Sequence, residues 1–392
     1  MAAAPTTAGT TIASAAPGEM RIAALDGFRG VTTLMVVVSH FFAELHNGIK
    51  ALAVGWMAVL AFFVLSGFLI GRLILEKQVH ANFYTVFYVR RVCRMIPPFV
   101  VVLLGIYGLY AVIGHHHWAE TTPMFPMWSY LTFTQGFFMI STDTIGPHWL
   151  APTWTLAVEE HFYLIAPAAI ILTPRRHLLK VLVAVALMSV AIRYAIFIGG
   201  IGPNMAGRVM IFSLADSLIA GIIAAELYVT KRIDWAKHGD AIRVAPIVLL
   251  LASFVIRFVD DNPDGLFAVF GTHFISIAAA CVILSLMYGA PEAKRFENKT
   301  LCFFGHTSYT VYLTHLAVLG MMHGLILGDI PDLLTWQQFL VTLAALPVAF
   351  GVGWVLYRFI EEPMTAYGRS WRWSKELRPS RADAARPAVV NV

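Results

Sequence analysis

A chain of 392 residues that is 58% hydrophobic and only 13% charged, with a mean hydropathy of +0.72, carries far less charge than a soluble domain of its length. That balance excludes a soluble globular enzyme, and recurring apolar stretches of about twenty residues exclude a β-barrel, which leaves an all-α polytopic transmembrane bundle. The net charge of +5 does not point to nucleic acid, because the basic residues sit in short loops, and Cys93, Cys281 and Cys302 are too dispersed for a disulfide framework or a metal site.

Residues 1–21, rich in Ala, Thr and Pro, lack a signal-peptide pattern and read as a disordered cytoplasmic tail. Hydropathy then predicts ten spans, at 27–46, 52–75, 96–114, 149–172, 179–199, 207–229, 244–260, 266–288, 303–326 and 337–360. Lys50 is the lone basic residue in the odd-numbered connections, and Arg193, Arg208 and Arg257 lie within outer helix halves. The other Lys and Arg residues fall on the opposite side, which puts both termini in the cytoplasm. The outer stretch 126–140, PMWSYLTFTQGFFMI, is uncharged and aromatic. A full crossing there would place Arg175, Arg176 and Lys180 outside, so it is expected to be re-entrant or interfacial. A membrane domain therefore covers 22–365. A basic tail, 366–392, follows and suits contact with anionic lipid headgroups. No internal repeat is visible, and no pattern specifies an oligomer.

Ionisable residues inside these spans carry the functional signal, since each costs roughly 2.5–3.5 kcal/mol at membrane depth unless it faces a partner or a cavity. The first span reads DGFRGVTTLMVVVSHFFAELH. Arg29 and His40, eleven residues apart, return to within about 20° of one face, about 16 Å apart along the axis, and Glu44 lies one turn further. Before the third span comes FYVRRVCRMIPP, whose Arg90, Arg91 and Arg94 occupy about one helical turn, with Pro97 and Pro98 at the expected helix start. Three guanidinium groups so placed suit the phosphates of a nucleotide-bearing acyl donor such as coenzyme A, and equally an anchor on lipid phosphates. The fourth span, HWLAPTWTLAVEEHFYLIAP, holds Glu159 and Glu160, which point about 100° apart, so at most one faces a shared cavity. A buried carboxylate there suits acid–base work or a structural pair. Trp149, Trp154 and Tyr163 on this span are candidates for substrate stacking, although interfacial aromatic belts share that composition. Span six holds Arg208 and Asp216, nearly on one face, and span nine has Ser308, Tyr312 and His315 as a hydrogen-bonding stripe. The last span ends YRFIEEPM, where Arg358, Glu361 and Glu362 suit an ion-pair closure.

LDGFRG leading into Arg29-x10-His40, FFVLSGFLI, RRVCR, WTLAVEEHFYLIAP, SYTVYLTH and YRFIEEP occur in this order. The set resembles the acyltransferase 3 family of integral membrane O-acyltransferases over roughly 22–365, six weak motifs in a specific succession. Members modify O-antigen, exopolysaccharide, periplasmic glucans, nodulation factors and macrolides. Departures are Thr155 where Ser is usual, His161 where Gln is usual, and Glu362 where Arg often precedes the proline. The sequence shows no fused esterase-like domain of the kind some members carry, which implies a self-contained transferase.

The resemblance implies a bacterial inner-membrane enzyme. It would move an acyl group, acetyl by default, from cytoplasmic acyl-coenzyme A to a sugar hydroxyl of a glycan or lipid-linked saccharide, without a metal. By position, His40, Glu44, Glu159 and Glu160 are the candidate catalytic groups, and Arg29, Arg90, Arg91 and Arg94 the candidate donor-binding groups. Trp149, Trp154, Tyr163, Arg208, Asp216, Tyr312 and His315 are the candidates for the acceptor. Direct transfer and an acyl-histidine intermediate both remain open. A proton-coupled transporter or flippase of lipid or glycan is the alternative, because membrane carboxylates, histidines and arginines also build proton relays.

Overall fold

A computed structural model describes residues 22–119, 124–199, 211–259 and 265–376. The expected disordered tail at 1–21, Arg208 and the tail beyond 376 lie outside them. Among the described residues the chain is helical, with one isolated antiparallel bridge between His80 and Glu376. Nine helices there are long and apolar enough to cross a membrane. The first expected span differs. Its α-helix, α1 (Ala23–Val38), has 16 residues, and a five-residue π-helical turn, Ser39–Ala43, extends it. At 1.5 Å per residue α1 alone rises about 24 Å, short of a hydrocarbon core of about 30 Å.

The other long elements are α2 (Gly55–Lys77) and α3 (Phe83–Ile113). The third prediction needs correction: no helix starts at 96. α3 runs unbroken for 31 residues through Pro97 and Pro98, so the arginine cluster lies on the helix rather than before it. Proline is tolerated in a membrane helix that is packed among neighbours; here the carbonyls left without a helical donor are those of Cys93 and Arg94. At this turn the Tyr309 hydroxyl donates to the Met95 carbonyl at 2.7 Å. The segment 126–140 does not cross. It forms two short helices, α4 (Met127–Leu131) and α5 (Gln135–Thr142), the longer rising only about 12 Å. Tyr130 is fully buried while Trp128 and Phe137 are exposed, and the Gln135 side chain donates to the Thr153 carbonyl at 2.9 Å.

The chain continues through α6 (Thr153–Leu172), α7 (Arg175–Gly199), α8 (Ile211–Val229) and α9 (Trp235–Val259). A π turn, Phe267–Gly271, leads into α10 (Thr272–Met287). Two short helices follow, α11 (Ala293–Phe296) and α12 (Lys299–His306), then α13 (Ser308–Leu327) and α14 (Trp336–Leu356). A third π turn, Tyr357–Glu361, precedes α15 (Glu362–Ser370). Helices α1, α2, α3, α6, α8, α10 and α13 supply much of one large apolar core. On α9, by contrast, Ile247, Leu251, Val255 and Phe258 are exposed, as a lipid-facing surface requires.

Hydrocarbon gives helices no hydrophobic reason to associate, so close contact has to come from small residues. The α2–α8 crossing shows this from both sides. A Cβ on Gly67 would stand 1.9 Å from the Leu218 carbonyl oxygen, and one on Gly221 would stand 2.0 Å from that of Val64. The same device seats α12 on α1, where a Cβ on Gly30 would meet the Leu301 carbonyl oxygen at 2.0 Å. Outside the spans, the Asp332 carboxylate ties two loops by accepting from the backbone and side-chain N–H of Asn47 at 3.0 and 2.8 Å. Partial burial opposes ionisation of Asp332, but these N–H groups and that of Leu333 hold its carboxyl below the usual carboxylate range. The clasp is therefore complete above about pH 4, the free-carboxylate value, and loosens as pH falls through the lower folded value.

Replacing Gly221 with Val must push α8 off α2. We expect a loss of about 1–3 kcal/mol, read as a lower thermal midpoint of the detergent-solubilised protein. An unchanged midpoint would contradict so close a crossing.

Candidate active site

Between α1, α2, α3, α6 and α13 lies a cavity with about 810 Å³ of empty space, counted out to its open mouth. α1 contributes Arg29, and α3 contributes Arg91 and Arg94, three residues apart and so on one face. Ser66 comes from α2, and Thr155, Glu159 and Tyr163 come from α6. Ser308, Tyr309 and Tyr312 come from the first turns of α13. Of the two adjacent carboxylates, Glu159 faces the cavity. Glu160 does not line it, and its buried Oε1 has no hydrogen-bond partner among the described residues.

The electrostatics are lopsided. Arg29 has Asp26 at 3.6 Å on its own helix, and the Arg91 guanidinium lies 4.8 Å from the centre of the Tyr163 ring. Tyr163 in turn has its hydroxyl 2.5 Å from that of Ser66. Three cations thus line a space into which one carboxylate projects. Arg90, one position earlier, is turned away. Its guanidinium donates to the Trp371 carbonyl at 2.9 and 3.2 Å and stacks 5.1 Å from the Trp373 ring centre. Asn82 and His80 hold the same C-terminal segment, at 3.0 Å to the Arg372 carbonyl and 2.6 Å to that of Ser374. The 100° step between neighbours on α3 thus divides the motif between a cavity and a strap.

Next to the cavity, α13 carries a second set. The hydroxyls of Thr155 and Tyr312 are 3.0 Å apart at the cavity wall. One turn on, His315 reaches His40: Nε2 of His315 is 2.6 Å from Nδ1 of His40, and the rings lie edge to edge and nearly coplanar, with centroids 4.9 Å apart and planes within 6°. His40 sits in the wide turn Ser39–Ala43, where one extra residue per turn redirects side chains, as is common at functional sites. Its other nitrogen, Nε2, is 3.5 Å from a Glu44 carboxylate oxygen. The second Glu44 oxygen accepts from the Ser39 hydroxyl at 2.9 Å. His315 is wholly buried, whereas the His40 and Glu44 side chains are 18% and 48% exposed, so the accessible edge of the set is the Glu44 edge.

The remaining candidates are placed elsewhere. Trp149 is buried between the Tyr110 ring, 4.8 Å away, and Gly320. Trp154 is buried against Trp56 and Phe63. Both pack the core, and neither offers an open stacking face. Asp216 is enclosed: Arg193 grips its two oxygens at 2.6 and 2.8 Å, and His273 approaches at 2.9 Å. Arg193 also donates to the carbonyls of Ser213 and Val269. In the last span Arg358 and Glu362 pair at 2.5 Å on the surface, while Glu361 is buried. Sequence reasoning left out Ser66 and His273, and weighed Arg193 only for topology. The available signal was the same as for Asp216, a polar side chain inside an apolar helix.

A bundle that directs three cations and a histidine pair inward has the groups that a membrane-embedded group-transfer enzyme or a proton-coupled carrier would need. More narrowly, residues 22–358 match the acyltransferase 3 family, described as an acyltransferase domain. The chain belongs to that family. It is 25% identical over 367 residues to the peptidoglycan O-acetyltransferase OatA of Listeria monocytogenes, covering 88% of this chain and 56% of that protein. A putative O-acetyltransferase of Staphylococcus aureus MRSA252 is 26% identical over 388 residues, covering 89% and 59%. The O-acetyltransferase OatA of S. aureus NCTC 8325 is 24% identical over 365 residues, covering 88% and 57%. The chain thus spans little more than half the length of these curated relatives. No solved structure matches it.

The Arg193–Asp216 pair gives a stability test. Arg193→Met or Asp216→Asn leaves a buried charge without its partner and should cost about 3–5 kcal/mol. Combining Arg193→Met with Asp216→Leu should recover much of that, read by thermal unfolding. Additive losses in the double variant would show that the pair is not the unit.

Proposed function

We propose that this enzyme transfers an acyl group, acetyl by default, from cytoplasmic acyl-coenzyme A to a sugar hydroxyl of a glycan or lipid-linked saccharide, on the outer side of a bacterial inner membrane. The observation that carries the reading is the cavity in which Arg29, Arg91 and Arg94 face a single carboxylate. Such an imbalance calls for a polyanionic ligand, and guanidinium groups bind phosphate through paired, charge-assisted hydrogen bonds. In this reading the donor phosphates stay at the arginines and the thioester reaches past Tyr312, which lines the cavity, toward His40.

Each residue then has a chemical task. Arg29, Arg91 and Arg94 hold the donor phosphates. The neutral His40 imidazole takes the proton of the acceptor hydroxyl as its oxygen attacks the thioester carbonyl. The C–S bond breaks, the acyl group passes to the sugar oxygen, and the thiolate recovers a proton from the imidazolium. Glu44, 3.5 Å from His40 Nε2, stabilises the imidazolium while it exists. The relatives named O-acetyltransferase, one of them for peptidoglycan, support acetyl as the group and a cell-envelope glycan as the acceptor class.

Purified protein in liposomes, supplied with labelled acetyl-coenzyme A and envelope glycan, tests this directly. His40→Ala should lower turnover by about 10²–10⁴-fold, and undiminished turnover would remove His40 from the chemistry. Arg94→Gln should raise the donor KM by roughly ten- to a hundredfold, the loss of charged hydrogen bonds worth about 1.5–3 kcal/mol. Arg90→Gln should leave donor KM near wild type while exposing residues 371–376 to limited proteolysis. Equal effects of the two arginine variants on KM would show that the motif acts as one unit.

A further inference from the structure

The hydrogen-bond pattern of His315 has a chemical consequence for His40. Nδ1 of His315 lies 2.8 Å from the Tyr312 carbonyl oxygen and 3.2 Å from that of Val311. Carbonyl oxygens only accept, so this nitrogen carries a proton. A second proton, on Nε2, would put a full charge on a ring with no exposed surface and, among the described residues, no carboxylate paired with it, an arrangement proteins avoid. Nε2 of His315 therefore presents a lone pair, and that lone pair points at Nδ1 of His40 from 2.6 Å. A hydrogen bond there requires the proton to sit on His40 Nδ1.

We propose that His315 is a positioning residue that fixes His40 as its Nδ1–H tautomer, leaving Nε2 beside Glu44 as the only nitrogen able to take a proton, so that the acceptor hydroxyl arrives on the Glu44 side of the ring. This deepens the transferase reading and rests on it for the acceptor. The α13 backbone sets the tautomer, because the carbonyls that orient His315 belong to its own preceding turn. Such control of one ring nitrogen through the hydrogen bond of the other is general for histidine. The donor cavity reaches α13 at Tyr312, whereas Glu44 is half exposed and does not line that cavity. The two substrates thus meet His40 from different sides.

The test combines ¹⁵N spectroscopy with kinetics. Full-length protein labelled with ¹⁵N-histidine in bilayers, with His40 assigned by the signal that His40→Asn removes, should show a protonated Nδ1 and a bare Nε2 for His40. Finding the proton on Nε2 instead would overturn the proposal. His315→Ala should lose that tautomer signature and lower kcat by about ten- to a hundredfold, with donor KM unchanged. His315→Gln, whose amide oxygen can accept from Nδ1–H, should restore most of both. If His315→Ala kept wild-type kcat, or if Gln did no better than Ala while folding normally, the positioning role would fall. The spectra need no turnover, so they remain decisive if His40→Ala proves active. In that outcome the base reading fails and the tautomer assignment stands on its own.

Discussion

A guanidinium held among apolar helices must be answered by something, and this bundle answers it in two ways. Around Asp216 the answer is complete: Arg193 meets both carboxylate oxygens and two backbone carbonyls, and His273 closes the remaining side. Around Arg29, Arg91 and Arg94 it is partial, since among the described residues three cations share a space lined by one carboxylate, Glu159. The closed set holds helices α7, α8 and α10 together. The open set is where a ligand of opposite charge gains most, because the low dielectric strengthens any contact it makes. The contrast distinguishes scaffold from site better than the presence of charge does.

Much of this was legible in the chain, and what was not has physical causes. Helical periodicity tells which side chains share a face of one helix, and on that basis Arg91 grouped with Arg94, and Tyr312 with His315, each on its own helix; only the folded bundle brings Arg29, Arg91, Arg94 and Tyr312 to one cavity. It does not tell which neighbour that face meets. Asp216 and Tyr312 looked alike in sequence, each a polar group on an apolar helix, yet one is sealed in an ion pair and the other lines the cavity. The adjacent glutamates were open by geometry, and only packing turns Glu159 inward. Arg90 shows the converse: one residue from Arg91, it serves a C-terminal segment that no local pattern connects to it.

The prolines and the tryptophans show the same limit. Pro97 and Pro98 read as a helix start, because in water a proline inside a helix is costly. Within a bundle, packing against neighbouring helices offsets the bonds the prolines cannot make, and the helix continues. Trp149 and Trp154 read equally as sugar platforms or as packing, and large aromatic faces are what glycine notches such as Gly320 accommodate. The His40–His315 contact joins residues 275 positions apart and could be read from neither helix alone.

The wide turn at Ser39–Ala43 has a mechanical meaning. A uniform α-helix is a rigid gear: fixing the azimuth of one tooth fixes all the others. Before the turn, α1 is locked by Gly30 against α12; after it, the same chain must offer an imidazole to α13. The loosened coil works as a clutch between these two engagements. It lets the cation-bearing half and the proton-handling half of one helix be aimed independently, so sequence drift in one need not misalign the other.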